Sequence, residues 1–303
     1  MNIPADVLTA IAHAPVADLF PVTGKETFDG QVLKTRILQF DSGASLELTR
    51  LDLPFLVICT NQALLRAPQV RSTILRASTF PSTSGAAGHV GASGAAGTRG
   101  SGWSASGGAG ANGGPGVSGK LPVLYVFAEE VLIHPGSPVN WFDLAVDFAG
   151  VDGGAGGAGG AGGDGMPGAD GTPGVEGAFK CDRLPGDGGA GGAGGPGGAG
   201  GPGANGSAGG DLIFVGPQVG LDQLKWVKVI NRGGAGGVGG KGGRGGAGGH
   251  GGSPGANTVF CHGGRAGYGG VNGAAGPDGT SGASGAKGGV TLIEQATLAP
   301  FFV

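Results

Sequence analysis

Aromatic side chains and charges are both scarce in this 303-residue chain: Phe, Trp and Tyr make up 6% of it and Asp, Glu, Lys and Arg 13%. Few aromatics limit the size of any side-chain core. The net charge of −3 is too small to hold the chain extended by repulsion, and it excludes the basic surface of a nucleic-acid-binding protein. No stretch of about 18–20 apolar residues occurs, so no segment reads as a membrane span. Three cysteines, Cys59, Cys181 and Cys261, are too few for a disulfide scaffold. The opening residues, MNIPADVLTAIAHAPVADLF, lack the basic and continuous apolar regions of a secretory signal. An extracellular or virion-associated location is the expectation, by an export route the sequence does not display.

Glycine is also scarce at first. The first 84 residues hold 3 of the 76 glycines, and the remaining 219 hold 73. Beyond Ser84, glycine recurs at every third position in six runs: Gly85–Gly100, Gly107–Gly119, Gly153–Gly177, Gly188–Gly209, Gly233–Gly251 and Gly264–Gly288. Three residues is the period of the polyproline II helix, which has no internal hydrogen bonds and must find partners outside itself. Glycine on one face lets neighbouring backbones come close enough to supply them. The runs pair around short tips, SGWSAS, AFKCDRLPGD and a longer one at 252–263, giving hairpins over 85–119, 153–209 and 233–288. Gly-Gly-X makes up part of run three and most of runs four and five, which predicts runs three to five at the centre of a bundle. Gly-X-X in runs one and six predicts edges. Collagen is excluded by the low proline content of the runs and by their reversals.

Between the runs lie apolar segments that repeat: FLVICTNQALLRAPQ from Phe55, VLYVFAEEVLIHPGS from Val123, DLIFVGPQVGLDQLK from Asp211 and GVTLIEQATLAPFFV from Gly289. Each opens as a β-strand and reaches a polar corner (Thr60–Gln62, Glu129–Glu130, Gly216–Gln218, Glu294–Gln295). The first three continue into a second strand. Stacked units of this kind predict a mainly β fold: a short β-solenoid or sandwich-like base, with rungs near 121–151, 211–232 and 289–303, carrying a six-helix polyglycine II bundle. Residues 24–84 read as a β-rich region. Residues 1–23 read as an arm or cap, with Val7, Leu8, Ile11 and Ala12 on one helical face until Pro15 and Pro21 end it.

Chemistry-bearing motifs are few. G-x-G-x-x-G matches by chance in a chain this rich in glycine, and Lys241 in GGKGGR precedes Gly242 rather than Ser or Thr, so there is no phosphate-binding loop. Glu129 and Glu130 are adjacent, which on a strand points them to opposite faces and defeats a paired-carboxylate mechanism. No Cys or His spacing suits zinc, and no nucleophilic triad can be placed. No enzyme activity, cofactor or metal is expected. The tips and their flanks hold Trp103, Phe179, Lys180, Arg183, Phe260, His262, Arg265 and Tyr268. The aromatics and arginines among them are residue types enriched in binding hot spots, although bulky tips could equally plug the end of the bundle. Cys181 and Cys261 both sit at tips that face one end and form a candidate disulfide, whereas Cys59 lies in an apolar strand and reads as core.

Over roughly residues 85–289, the serial glycine runs with reversing tips resemble the polyglycine II proteins, namely the receptor-binding tip adhesins of phage long tail fibres and the snow flea antifreeze proteins. The resemblance lies in periodicity and implies a polyglycine II fold. Together with the last apolar segment, which stops at Val303 without a second strand, these features support a non-enzymatic structural protein. The first expectation is a self-assembling fibre subunit joined end to end by strand complementation, with copies of itself as partner. The alternatives are an adhesin binding a surface receptor or glycan through the tips, and an ice-binding protein.

Overall fold

A computed structural model describes residues 3–66, 70–77, 114, 119–133, 144–224 and 227–302. The chain opens with a helix, α1 (Ala5–His13), followed by β1 (Ala17–Val22), β2 (Lys25–Phe28), β3 (Val32–Phe40), β4 (Ser45–Leu48), β5 (Phe55–Leu65), β6 (Ser72–Arg76), β7 (Val123–Ile133) and β8 (Leu144–Asp147). Two short strands come next, β9 (Val175–Glu176) and β10 (Cys181–Arg183). The chain then forms β11 (Leu212–Gly216), helix α2 (Gln218–Leu224), β12 (Lys228–Ile230), β13 (Val290–Glu294) and a 3-10 turn at Ala299–Phe302.

Strands β1, β3, β5, β7, β11 and β13 form one six-stranded sheet in that order, and β12, β8, β6, β4 and β2 form a second sheet of five. Every neighbouring pair in both sheets is parallel. Alternation along each strand divides the apolar residues between two cores. Leu56 and Ile58 of β5, with Leu124 and Val126 of β7, pack against Leu46, Ile74 and Val146 of the second sheet. The intervening residues Phe55, Val57, Cys59, Tyr125 and Phe127 face the other way and are covered by Val7 and Ile11 of α1. A parallel sheet buried on both faces accounts for the nearly continuous apolar runs of β5 and β7.

These sheets overturn the expected base. The corners expected at Thr60–Gln62 and Glu129–Glu130 lie within single strands: β5 and β7 pair on either side of Asn61 and Glu129, with Thr60 opposite Ala128 and Gln62 opposite Glu130. The Gln62 amide donates to the Glu130 carboxylate, so the polar residues satisfy each other across the sheet. Between β11 and the expected second strand, which forms as β12, the chain makes α2 and buries Leu221 and Leu224. The architecture is therefore two parallel sheets with two helices, mainly sheet, in place of a β-solenoid carrying a six-helix polyglycine II bundle. Runs one and two, together with the first tip and Trp103, lie outside the described residues apart from Gly114 and Gly119.

The C-terminal segment corrects the fibre expectation as well. Beyond β13 the Gln295 N–H donates to Gly216 O, and the Leu298 N–H donates to the Glu129 carboxylate at 2.6 Å. Leu298 and Phe302 then enter the core beneath α1. The Arg36 guanidinium donates to Phe302 O at 3.2 Å, and the Phe301 ring meets Phe127 edge-on. Helix α1 and the 3-10 turn thus pack on one face of the six-stranded sheet, and β13 pairs with β11 of its own chain. α1 matches its sequence pattern at Val7 and Ile11, while Ala12 is exposed.

The described glycine runs extend from the sheets as four extended segments. Their backbones meet at every third residue with N–H···O distances of 2.7–3.1 Å, as in Gly153 to Ala235 O, Gly192 to Met166 O, Gly249 to Gly192 O and Gly270 to Gly249 O. Runs three and five lie parallel, as do runs four and six; the other contacts are antiparallel. Glycine is required by this close approach: a Cβ on Gly240 would lie 1.9 Å from Gly157 O.

Candidate functional site

The far end of the array is a tip made by two loops. In the first, Gly177 N–H donates to Lys180 O at 2.9 Å, closing the turn between β9 and β10, which pair antiparallel. The second runs through Thr258, whose N–H donates to Cys261 O at 2.9 Å. A disulfide between Cys181 and Cys261 joins the loops across 80 residues of sequence. Beside it the Glu176 carboxylate accepts the Phe260 N–H. Hydrogen bonds from the Thr258 hydroxyl and from the Phe260 N–H hold the Glu176 carboxyl below its usual range.

Large apolar side chains surround this bridge without covering. Phe179 is 88% exposed, Val259 77%, Leu184 62% and Phe260 47%. A side chain that sealed the array would be buried, so this placement does not fit a plug. Among the expected site residues, Lys180 pairs with Asp182 at 3.6 Å, Arg183 donates to Pro173 O at 3.4 Å, and the His262 Nε2–H donates to Val259 O at 3.1 Å. Arg265 is exposed and is placed by its own N–H, which donates to Asp187 at 2.7 Å. Tyr268 lies further down run six, 86% exposed. The fold therefore brings Phe179, Lys180, Arg183, Phe260 and His262 into one tip, with Arg265 at its edge and Tyr268 beside the array.

Sequence reasoning missed Val259, Leu184 and Glu176. Two signals could have found them. Glu176 is the single glutamate between Glu130 and Glu294, and Val259 extends the apolar step immediately before Cys261.

Elsewhere, the cleft where sheets and array meet has a volume of about 300 Å³ and is lined by Arg76, Asp147, Asp152 and Arg232, among others. Arg76 there donates to Ala149 O at 2.6 Å and Gly150 O at 3.3 Å, so its guanidinium ties the strand end to the array. Partial burial lowers its pKa from the ordinary arginine value. Among the described residues, no three His, Cys, Asp or Glu side chains cluster as metal ligands, and no helix is long and apolar enough to cross a membrane.

Comparison with known proteins yields no matching family model and no significantly similar curated protein.

Proposed function

We propose that this chain is a non-enzymatic recognition protein that engages a surface receptor or glycan through its disulfide-tied tip. The observation that carries this reading is the concentration of exposed Phe179, Leu184, Val259 and Phe260 around one disulfide, at the end of the array remote from both cores. Exposed apolar groups gathered in one place and rimmed by polar residues characterise interaction surfaces, and aromatic and arginine side chains supply most of their binding energy. Mounting them on loops closed by a covalent bridge lowers the ordering cost of association. A persistent disulfide fits an oxidising compartment, which favours action outside the cytosol.

The test is binding of the labelled protein to a panel of intact cells and to a glycan array, alongside the Phe179→Ser/Phe260→Ser variant. Loss of binding by roughly tenfold or more is expected if the two rings are hot spots. Equal binding by wild type and variant on every surface that retains the protein would remove the reading. A thermal melt of the variant establishes that the sheets and array are intact.

A further inference from the structure

We infer that the Cys181–Cys261 disulfide is a redox latch for the tip alone: reduction opens the two loops, while the glycine array and both sheets stay folded.

The tip has almost no core of its own. Between residues 172 and 187, and between 253 and 266, the buried residues are Pro185, Gly255 and Cys261. The large apolar side chains face solvent, so the sulfur bridge stands where a hydrophobic cluster would otherwise hold the loops. The remaining links between the loops are few: the Glu176 carboxylate with Phe260 and Thr258, and the Gly174 N–H to Ala256 O at 3.1 Å. Hydrogen bonds open to water are individually weak.

Below the tip the situation reverses. Gly171 donates to Ser253 O and Gly255 to Gly186 O, both at 2.9 Å, and from there the contacts recur at every third residue down to the strands. Side chains add to them, with Asp170 accepting the Ser253 N–H and Asp187 the Arg265 N–H, both at 2.7 Å. The array is thus held by many bonds that do not pass through sulfur.

The two sulfurs also differ in access. Cys261 is 0% exposed, whereas Cys181 is half-buried at the edge of the tip. A dithiol reductant therefore attacks as its thiolate at the Cys181 sulfur, forming a mixed disulfide there and releasing Cys261 as a thiolate that takes up a proton. The second thiol of the reductant displaces Cys181, which leaves as a thiol. The protein gains two electrons and two protons, and the reductant becomes a cyclic disulfide. If recognition resides in the tip, an assignment that rests on the function proposed above, reduction also abolishes it by releasing the loop of Phe179 from the loop of Phe260.

Hydrogen exchange of the full chain, followed by mass spectrometry with and without dithiothreitol, tests the latch. Amides around Gly177, Thr258 and Phe260 should exchange about tenfold faster or more after reduction, while those of Gly192–Gly201 and Gly237–Gly249 keep their protection. The Cys181→Ser/Cys261→Ser variant should match the reduced protein, and if it does not fold, the reduced wild-type chain decides. An unchanged tip overturns the latch, and so does an array that loses protection together with the tip. Surface binding in the same samples is a separate readout: an opened tip that still binds overturns the gating alone, whereas binding insensitive to the Phe179 and Phe260 substitutions overturns the recognition reading.

Discussion

Asp152 Oδ1 accepts the backbone N–H of Ala235 at 2.7 Å across 83 residues of sequence. The same offset recurs at Asp164 with Ala247 and Asp170 with Ser253, each at 2.7 Å. Between runs four and six an offset of 78 links Asp187 to Arg265, Asn205 to Ala283 and Asp211 to Gly289. Each of these side-chain oxygens adds a hydrogen bond to the glycine contacts and so pins two neighbouring runs together. Replacing Asp152, Asp164 and Asp170 by alanine should lower stability by about 1 kcal/mol per pin. Asparagine at the same positions should restore most of it by keeping the acceptor oxygen. Chemical denaturation of both variants measures the difference, and equal loss in the two would point to charge rather than to the hydrogen bond.

Steric room distinguishes the glycine positions from their neighbours. Gly240→Ala drives a Cβ into Gly157 O and should cost about 2–3 kcal/mol or more. Val238, two residues away and 65% exposed, should tolerate alanine within about 0.5 kcal/mol. Thermal melts of the two variants give the comparison.

Glu176 makes the tip sensitive to acid. Its folded-state pKa lies below the ordinary value of 4.5, so its stabilising contribution is present above that value and is lost as pH falls through the depressed one. Protection of Phe260 and Thr258, taken relative to the intrinsic exchange rate at each pH, should therefore fall below pH 4.5, in the oxidised protein as well. Glu176→Gln keeps an acceptor without the titration and should flatten that dependence.

Cys59 should be silent to thiol reagents. Burial pushes its thiol pKa up to about 12, and it lies in the core capped by Val7 and Ile11. The oxidised native protein should therefore present no reactive thiol at pH 8, and mild reduction should expose two. Ile11→Ala should cost about 2–5 kcal/mol and speed alkylation of Cys59 by loosening α1.

Legibility varied with the range of the interactions. The helix at Ala5–His13 was readable because Val7 and Ile11 are one turn apart and need only a face to bury. The strand cores of β5, β7, β11 and β13 were readable as apolar runs. The continuity of β5 and β7 through their polar centres was not, since Gln62 and Glu130 are acceptable inside a sheet only because each supplies the other's partner. Nor was α2: the sequence VGLDQL suits either state, and the burial of Leu221 and Leu224 against the sheets selects the helix. At the tip, the aromatic and basic residues could be named from the sequence, but their exposure could not.

By itself the sequence determined the spacing of backbone contacts, because a residue without a Cβ at every third position is a local property that close approach requires. It also determined which segments are apolar enough to enter a core. The tertiary structure decided which strands share a sheet, that α1 and the 3-10 turn pack on the same face, and which glycine run lies beside which. Those outcomes depend on pairings such as Asp152 with Ala235 and Cys181 with Cys261, 80 or more residues apart, and no local pattern encodes such a partner.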